Sequence, residues 1–466
     1  MIGVLIHALL LAGWIAYTNI VVSHMDSRCE CGKVLDRGPG QPLILTPYLK
    51  GNRREEGKEA ARVPDILPGV ESYSGFFTVN EKYDSNMFFW FFPTETGQKD
   101  APVILWLQGG QGVSSLVGTF MENGPFRLLD GPTAIRNTYY WSENLNVLYI
   151  DNPVGAGFSF TKNDSGFPDS LEEVGEDLYS AVVQFFDLFP EYEKNEFFIA
   201  GESYGAKYVT ALARRIHKDT AKSTKMNLVG ISIGNGWIDP LRMVDYSNYL
   251  WNLGFIDLET YRIFSRIEEN IRSLILSCKY VEASKALDEY IRGNVSIFTN
   301  VAELNQYFNY VNPTVTGNDK LLREFLNQPE IRDVIHVGHV EFGKQSADVR
   351  KHLEADVMKS VLLWLEQLMN HYRVLLYNGQ LDVFCAYPTT MNYVEKMEWS
   401  GVEVYRAAER KLWHVVNDLA GYAKTARNFT EVLVRDAGHM VPADKPLWAQ
   451  DMILHFTKNI PFDKQL

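Results

Sequence analysis

Short apolar segments that end at polar turns alternate with helical segments from about residue 70 onward. Between two of them, Ser170 and Glu173 form an S-x-x-E capping box, apolar residues recur at helical spacing from Leu171 to Phe189, and Pro190 predicts the end of that helix. Strands that alternate with helices indicate an α/β fold, with a mostly parallel central sheet and helices on both faces. The strands predicted before residue 240 are MFFWFFP, VILWLQGG, NVLYIDNP, EFFIAGES and LVGISIGNG.

Residues 240–360 interrupt this alternation. They are rich in helix-forming residues and lack buried-strand runs, which predicts a helical insertion, or cap. The alternation resumes with YRVLLYNGQLD and FTEVLVRDAGH, so we expect the α/β core to comprise residues 65–239 and 361–466. Residues 24–64 are polar and include the run GNRREEGKEAAR, so we expect an N-terminal extension or propeptide outside the core.

The first 23 residues, MIGVLIHALLLAGWIAYTNIVVS, predict a signal peptide at 1–23 with small or short residues before the cleavage point. An uncleaved membrane anchor is the alternative, but the apolar run is barely long enough to span a bilayer and Asn19 interrupts it. We therefore expect a secreted or lysosomal (endosomal) protein without a membrane anchor after signal removal. Three N-x-S/T glycosylation sequons fit this route: Asn163, Asn294 and Asn428.

Net charge and cysteine content limit the possible binding partners and the source of the protein's stability. A net charge of −13 argues against a nucleic-acid partner, because phosphate binding needs a surplus of lysine and arginine. The chain has only 4 cysteines, so its stability must come from its core and not from a disulfide framework. Cys29 and Cys31 are too close for an easy mutual bridge, whereas a bridge between Cys278 and Cys385 is possible.

The segment IAGESYGAKY contains the G-x-S-x-G spacing of a sharp turn from strand to helix, which presents the hydroxyl of Ser203. A serine hydroxyl needs a base to remove its proton and a carboxylate to orient that base. Asp382 and His439 each follow a predicted strand, and the order Ser–Asp–His is that of the α/β-hydrolases. We therefore predict a Ser203–Asp382–His439 triad. The sequence has no H-E-x-x-H motif, which disfavours a zinc peptidase, and we expect neither a metal ion nor a cofactor.

Seven motifs in order resemble the serine carboxypeptidases over about residues 42–460. The resemblance is strongest to the vitellogenic-like branch, through PLILTPYLK, FLNQPEIRDVIHVG and the glutamine of WLQGG. It implies an α/β-hydrolase fold with a helical cap, and release of single C-terminal amino acids from peptides through an acyl-enzyme. An oligomer is compatible with the resemblance. The seven motifs are WLQGGQGVSS, MENGPF, DNPVGAGFSF, GESYGAKYV, ISIGNGWIDP, YNGQLD and AGHMVPADKP.

The resemblance also implies a role for each residue of the site. Ser203 would be the nucleophile, His439 the general base and Asp382 the residue that orients it. The backbone N–H groups of Gly110 and Tyr204 would form the oxyanion hole. Gln108, Gly109, Glu122 and Glu202 would bind the C-terminal carboxylate of the substrate, and Met440 would line the pocket for the leaving residue.

Two acidic side chains can bind a third carboxyl group only if protons are shared among them. Glu122 and Glu202 must then have raised pKa values, which predicts an acidic working pH.

The sequence departs from the family pattern at three positions. Gln111 replaces the usual proline of the G-G-P-G turn, Val113 replaces a frequent cysteine, and Gln108 is one methylene longer than the usual asparagine. Loss of the proline predicts a looser oxyanion loop, and preorganisation is what makes such a hole effective. A catalytically weak or inactive storage or binding protein therefore stays open as one alternative. An ester hydrolase or acyltransferase is the other, because the same triad can perform that chemistry.

Overall fold

The structure is a computed structural model that describes residues 40–64, 66–129, 131, 133–219, 226–293, 295–304, 307–312 and 319–466. The predicted signal peptide, Cys29, Cys31 and the sequon at Asn294 lie outside the described residues.

Thirteen strands form in the described part of the chain, and eleven of them make one sheet in the order β1-β2-β3-β7-β4-β8-β9-β10-β13-β12-β11. The six neighbouring strands from β7 to β13 in this order pair in parallel, and the strands outside them pair antiparallel. β5 and β6 form a separate hairpin. The strands are β1 Arg62–Val63, β2 Ser72–Asn80, β3 Ser85–Phe92, β4 Val103–Leu107, β5 Phe126–Leu129, β6 Thr133–Arg136, β7 Asn146–Ile150, β8 Glu196–Glu202, β9 Asn227–Gly234, β10 Arg373–Gly379, β11 Lys411–Val415, β12 Asp418–Ala426 and β13 Phe429–Val434.

Helices cover both faces of the sheet or belong to the segment between β9 and β10. The α-helices are α1 Thr46–Lys50, α2 Arg54–Ala61, α3 Leu116–Met121, α4 Leu171–Leu188, α5 Gly205–Lys218, α6 Pro240–Met243, α7 Tyr246–Asn252, α8 Leu258–Leu276, α9 Tyr280–Leu287, α10 Ile297–Ala302, α11 Asp319–Leu326, α12 Pro329–Val334, α13 Ser346–His352, α14 Leu362–Met369, α15 Tyr387–Val394, α16 Val402–Ala407, α17 Val441–Asp444 and α18 Pro446–Thr457. None of the helices in the described ranges is both long enough and apolar enough to cross a bilayer.

Alternate residues of the central strands point to opposite sides of the sheet and pack into two separate cores. In β4, Leu105 belongs to the core that also contains the apolar residues of α4 and α5. Its neighbour Trp106 belongs to the other core, together with apolar residues of α3 and α18. Every residue of β4 is buried, as expected for a parallel strand covered on both faces. The predicted α/β class is confirmed, while the antiparallel strands at both edges of the sheet were not anticipated.

The predicted extension at 24–64 needs a correction for its described C-terminal part. Leu45 and Ala61 have 0 % exposure and belong to the same core as α4 and α5. The segment is also hydrogen-bonded to the sheet, because the Leu45 N–H donates to the Phe76 carbonyl at 2.8 Å and β1 pairs with β2. Residues 41–63 are therefore part of the core, since most of their apolar residues pack against one of the two cores.

The described residues between β9 and β10 form only helices and turns, as the sequence of residues 240–360 indicated. His352, at the end of α13, connects this insertion to a loop of the core. Its Nδ1 lies 2.6 Å from Asp169 Oδ1 and its Nε2 lies 3.3 Å from Asp164 Oδ1, while its ring stacks on Phe167. Burial lowers the pKa of His352, but the hydrogen bonds to Asp169 and Asp164 outweigh burial and raise it overall.

We predict that His352→Gln destabilises the protein more at pH 5 than at pH 8. Because the folded-state pKa of His352 is raised, its contribution is fully present below the unfolded-state pKa, about 6.5, and is lost as pH rises through the folded-state pKa. Urea unfolding of the wild type and the variant at both pH values measures this difference. His339→Gln, at an exposed histidine of the same insertion, is the control. Equal losses of unfolding free energy at the two pH values would contradict the prediction.

Candidate active site

Ser203 lies in a sharp turn between β8 and α5. Its φ of +59° is in the left-handed region, which non-glycine residues rarely adopt, and its N–H donates to the Gly234 carbonyl at 2.9 Å. The turn leaves Ser203 partly exposed while the residues on either side of it are buried. The predicted strand–turn–helix around this serine is present.

The glycines of the G-x-S-x-G motif allow the end of β4 to approach this turn. A Cβ atom added at Gly201 would lie 2.7 Å from the Leu107 carbonyl oxygen, and one added at Gly205 would lie even closer to the same atom. Any side chain at either position would therefore separate β4 from the serine turn.

Asp382 and His439 follow the neighbouring parallel strands β10 and β13, and both are buried. His439 Nδ1 lies 2.7 Å from Asp382 Oδ2. Asp382 also accepts hydrogen bonds from Asn235 Nδ2 at 2.7 Å, from the Phe384 N–H at 2.8 Å and from the Cys385 N–H at 3.2 Å. Because this carboxylate is an acceptor fixed by three other donors, it favours the His439 tautomer with a proton on Nδ1 and a free lone pair on Nε2.

Residues 307–310 of the insertion support both members of this pair, which the sequence analysis did not anticipate. The His439 N–H donates to the Phe308 carbonyl at 2.6 Å, and the two rings lie 4.7 Å apart. The Val383 N–H, next to Asp382, donates to the Tyr307 carbonyl at 2.9 Å. Since segment 307–310 has no motif of its own, no pattern in the sequence connects it to the site.

The two backbone N–H groups that were predicted to bind an oxyanion belong to Gly110 and Tyr204. Gly110 has a φ of +71°, and Tyr204 directly precedes α5. A Cβ atom added at Gly109 would lie 2.5 Å from Ser203 Cβ and 3.1 Å from the Tyr204 nitrogen, so the loop after β4 packs directly on the serine turn. Within the described residues, neither the Gly110 N–H nor the Tyr204 N–H donates to another protein group.

Gln108, the residue after β4, connects two buried carboxyl groups. Its Oε1 accepts a hydrogen bond from Trp106 Nε1 at 2.9 Å, which directs its Nε2 towards the acids. That Nε2 donates to Glu122 Oε1 at 3.0 Å and, with a longer bond, to Glu202 Oε1 at 3.5 Å. The structure thus brings together the three side chains that the resemblance assigned to carboxylate binding.

The two glutamates share one desolvated environment. Burial is the main cause that raises the pKa of both carboxyls, and the proximity of Glu122 raises the pKa of Glu202 further. The two carboxyls are close enough to affect each other's protonation, and a hydrogen bond between them would require a proton on one of them. No amide or hydroxyl group of the described residues donates to Oε2 of either glutamate. Each therefore retains acceptor capacity for a proton or a ligand.

Asp444 and Met440 lie at the margin of this site. Burial raises the pKa of Asp444, although its Oδ2 accepts hydrogen bonds from the Gly438 N–H and from Asn309 Nδ2. Asp444 also contributes to the raised pKa values of both glutamates, so it lies within electrostatic range of them. Met440 follows His439 directly and is partly buried at the start of α17.

The remaining sequence predictions concern surface sites and cysteines. Asn163 and Asn428 are both exposed, which glycosylation requires. Cys278 is an exposed free thiol and Cys385 a buried one, so the possible bridge between them is not formed.

Comparisons with a protein-family model and with individual relatives agree on one family of enzymes. The family described as serine carboxypeptidase matches residues 64–459. A venom serine carboxypeptidase of Apis mellifera is 45 % identical, with coverage of 93 % of this chain and 94 % of the relative. A vitellogenic carboxypeptidase of Aedes aegypti is 41 % identical, with coverage of 97 % of this chain and 98 % of the relative.

Among solved structures, the prohormone-processing carboxypeptidase Kex1 of Saccharomyces cerevisiae superposes with a TM-score of 0.76 at 24 % identity. The match covers 86 % of this chain and 96 % of the yeast chain and confirms the fold. The family match and the two insect relatives confirm the predicted enzyme class, a serine-type carboxypeptidase. The chain belongs to the serine carboxypeptidase family.

Proposed function

We propose that this protein removes single amino acids from peptide C termini through an acyl-enzyme on Ser203, with an acidic pH optimum. The observation that carries the proposal is the Gln108–Glu122–Glu202 cluster beside the serine turn. An exopeptidase must recognise a free carboxylate next to the bond that it cleaves, whereas an ester hydrolase has no use for such a cluster.

In the proposed reaction, Ser203 attacks the carbonyl carbon of the last peptide bond and His439 Nε2 accepts its proton. The Asp382 carboxylate holds the His439 tautomer and stabilises the imidazolium that forms. Negative charge on the tetrahedral oxygen is stabilised by the N–H groups of Gly110 and Tyr204. His439 then protonates the leaving amine, and water hydrolyses the Ser203 ester in a second, equivalent cycle.

Substrate recognition in this proposal depends on a shared proton. The carboxylate of the substrate enters a pocket that already contains two carboxyl groups and one amide donor, Gln108 Nε2. Three buried carboxyl groups cannot all be ionised, because each charge destabilises the others in a desolvated site. A proton on the Glu122–Glu202 pair gives the pocket a donor, and the Gln108 amide supplies another. Met440 would contact the side chain of the leaving residue.

Chemical labelling and mutation test Ser203 as the nucleophile. A fluorophosphonate probe should label Ser203, and Ser203→Ala should abolish labelling and lower kcat by about 10⁶-fold, as removal of the nucleophile does in other triad enzymes. Mass spectrometry of labelled peptides and of trimmed substrate measures both effects. Ser273→Ala, at an exposed serine of α8, is the control. Labelling or trimming that persists in Ser203→Ala would contradict the assignment, and no trimming by the wild type would favour a storage or binding protein.

The shared proton should make substrate binding depend on pH. As pH rises through the raised pKa of the glutamate pair, the pocket loses its shared proton and repels the substrate carboxylate. The KM of a peptide acid should therefore rise between pH 5 and 8, with kcat affected less because ground-state binding is lost. A peptide with a C-terminal amide should not show this rise.

Steady-state kinetics from pH 4 to 8 on a peptide acid and its C-terminal amide test this account. Glu202→Gln, which cannot lose a proton, should flatten the rise in KM for the peptide acid. Glu196→Gln, at the exposed start of the same strand, should keep the wild-type profile. Identical pH profiles for the two substrates would contradict the shared-proton account even if Ser203 is the nucleophile.

We also propose that the protein enters the secretory pathway and is secreted or delivered to lysosomes. The apolar stretch at 1–23 and the exposed sequons at Asn163 and Asn428 support this route. In a secretory host, Asn163→Gln and Asn428→Gln should each lower the mass of the product by one glycan, and N-terminal sequencing should start after residue 23. An unmodified product that retains Met1 would contradict this route.

A further inference from the structure

The loop that carries Gly110 is contacted by a residue of the helical insertion. Ser346, the first residue of α13, is 8 % exposed, and its Oγ donates a hydrogen bond of 2.7 Å to the Gly112 carbonyl. Gly112 has a φ of +77°, and a Cβ atom added there would lie 2.8 Å from the Ser346 carbonyl oxygen and 3.0 Å from Ser346 Cα. Ser346 therefore both covers Gly112 and fixes the direction of its carbonyl.

We propose that Ser346 is a positioning residue for the oxyanion hole, and that it acts through Gly112 on the N–H of Gly110. The inference rests on the proposed oxyanion role of Gly110. Gly112 is only two residues from Gly110, so rotation of its peptide groups would move the Gly110 N–H. A hydrogen bond to the Gly112 carbonyl restricts that rotation.

Ser346 can restrain the loop because α13 is itself anchored to the core. The Gln345 side chain exchanges two hydrogen bonds with the backbone of Thr161, one from the Thr161 N–H at 3.1 Å and one to its carbonyl at 2.8 Å. The Gly343 N–H donates to the Gly157 carbonyl at 2.7 Å. The start of α13 thus has two fixed points on the core loop 157–161.

Asp151 connects this core loop to residues 114–115. These residues are at the far end of the loop after β4 that carries Gly110, which we call the oxyanion loop. Asp151 Oδ1 accepts from Ser114 Oγ at 2.5 Å and from the Ser115 N–H at 2.9 Å, while its Oδ2 accepts from the Phe158 N–H at 2.8 Å. The contacts form a closed ring: oxyanion loop, Asp151, loop 157–161, α13, Ser346, and the oxyanion loop again. Ser346 is the contact through which the insertion closes this ring.

This ring of contacts changes the expected effect of Gln111 on the flexibility of the loop. Without a proline at 111 the loop has more backbone freedom in isolation. Restraint from Ser346 on one side and Asp151 on the other replaces the restraint of the proline ring. The loop can then present the Gly110 N–H in a fixed direction without that residue.

The test compares kcat and KM of Ser346→Ala with those of the wild type on a peptide acid. Oxyanion donors act mainly in the transition state, so kcat should fall with KM unchanged. We expect a fall of about tenfold, less than the 10²–10³-fold cost of removing an oxyanion donor itself. Ser346→Thr, which keeps the hydroxyl, should retain most of kcat.

Thr457→Val is the matched control, because the buried Thr457 Oγ1 also donates to a backbone carbonyl, that of Ile453 at 2.9 Å. Its own carbonyl contacts Arg373 at the start of β10, at the opposite end of the strand from Asp382. Thr457→Val should therefore lower thermal stability without changing kcat. If Ser346→Ala does not fold, Ser346→Cys, a nearly isosteric side chain with a weaker donor, provides the same comparison.

Gln111→Pro distinguishes this role from general destabilisation. In the wild type it should change kcat little, because the loop is already restrained. In the Ser346→Ala background it should restore part of the lost kcat, because the proline ring replaces the missing restraint.

Four results would overturn the inference: wild-type kcat in Ser346→Ala, equal losses in Ser346→Ala and Ser346→Thr, a change in KM alone, or an equal effect of Gln111→Pro in both backgrounds. The proposed function is tested separately by Ser203→Ala. Wild-type kcat in Ser346→Ala, with activity that still depends on Ser203, refutes only the role of Ser346.

Discussion

The close approach of β4 to β8 is the constraint on which the site depends. These strands pair in parallel with Leu107 opposite Gly201, and the glycines of the serine motif leave room for the Leu107 carbonyl. The segments that follow Leu107 and Gly201 stay adjacent: Gln108 reaches Glu202, and Gly109 packs on Ser203. One register therefore places side by side the cluster proposed for carboxylate binding, the serine, and the loop proposed to bind the oxyanion.

This register gives a physical reason for an exopeptidase. Glu202 and Ser203 are consecutive residues, so a carboxylate bound at Glu202 holds the adjacent peptide bond near the Ser203 hydroxyl in the proposed reaction. The same proximity couples recognition to pH, because burial raises the pKa of Glu202 and Glu122 lies against it. In this proposal, selectivity for a free C terminus and the acidic pH optimum therefore have the same cause.

Much of this arrangement could be predicted from local sequence. The strands that precede Gln108, Ser203, Asp382 and His439 are rich in apolar residues, and motif order indicated the family. The cap of α4 was predicted at Ser170, whose Oγ accepts from the Glu173 N–H at 3.3 Å. The Glu173 carboxylate instead accepts from the Asp169 N–H at 2.7 Å, one residue earlier than a capping box requires.

Contacts between distant segments could not be predicted. Strands β2 and β12, each next to an edge strand of the sheet, mix polar and apolar residues, and residues 41–63 look polar although Leu45 and Ala61 are fully buried. Likewise, no pattern connects Phe308 with His439 or Ser346 with Gly112, because each pair meets only when the insertion folds back on the core. The sequence revealed that a proline is absent at 111, but not what restrains the loop in its place.

The most direct test of the account changes the distance between the bound carboxylate and the cleaved bond. The measurement is kcat/KM at acidic pH for two peptides that differ only in their last residue, alanine in one and β-alanine in the other. β-Alanine places the carboxylate one methylene further from the scissile carbonyl. A site with fixed register should discriminate by about 10²-fold, the effect of a displacement of about 1 Å on a positioned substrate. Equal kcat/KM values, or cleavage at internal bonds, would contradict the claim that the β4–β8 register sets where this protein cuts.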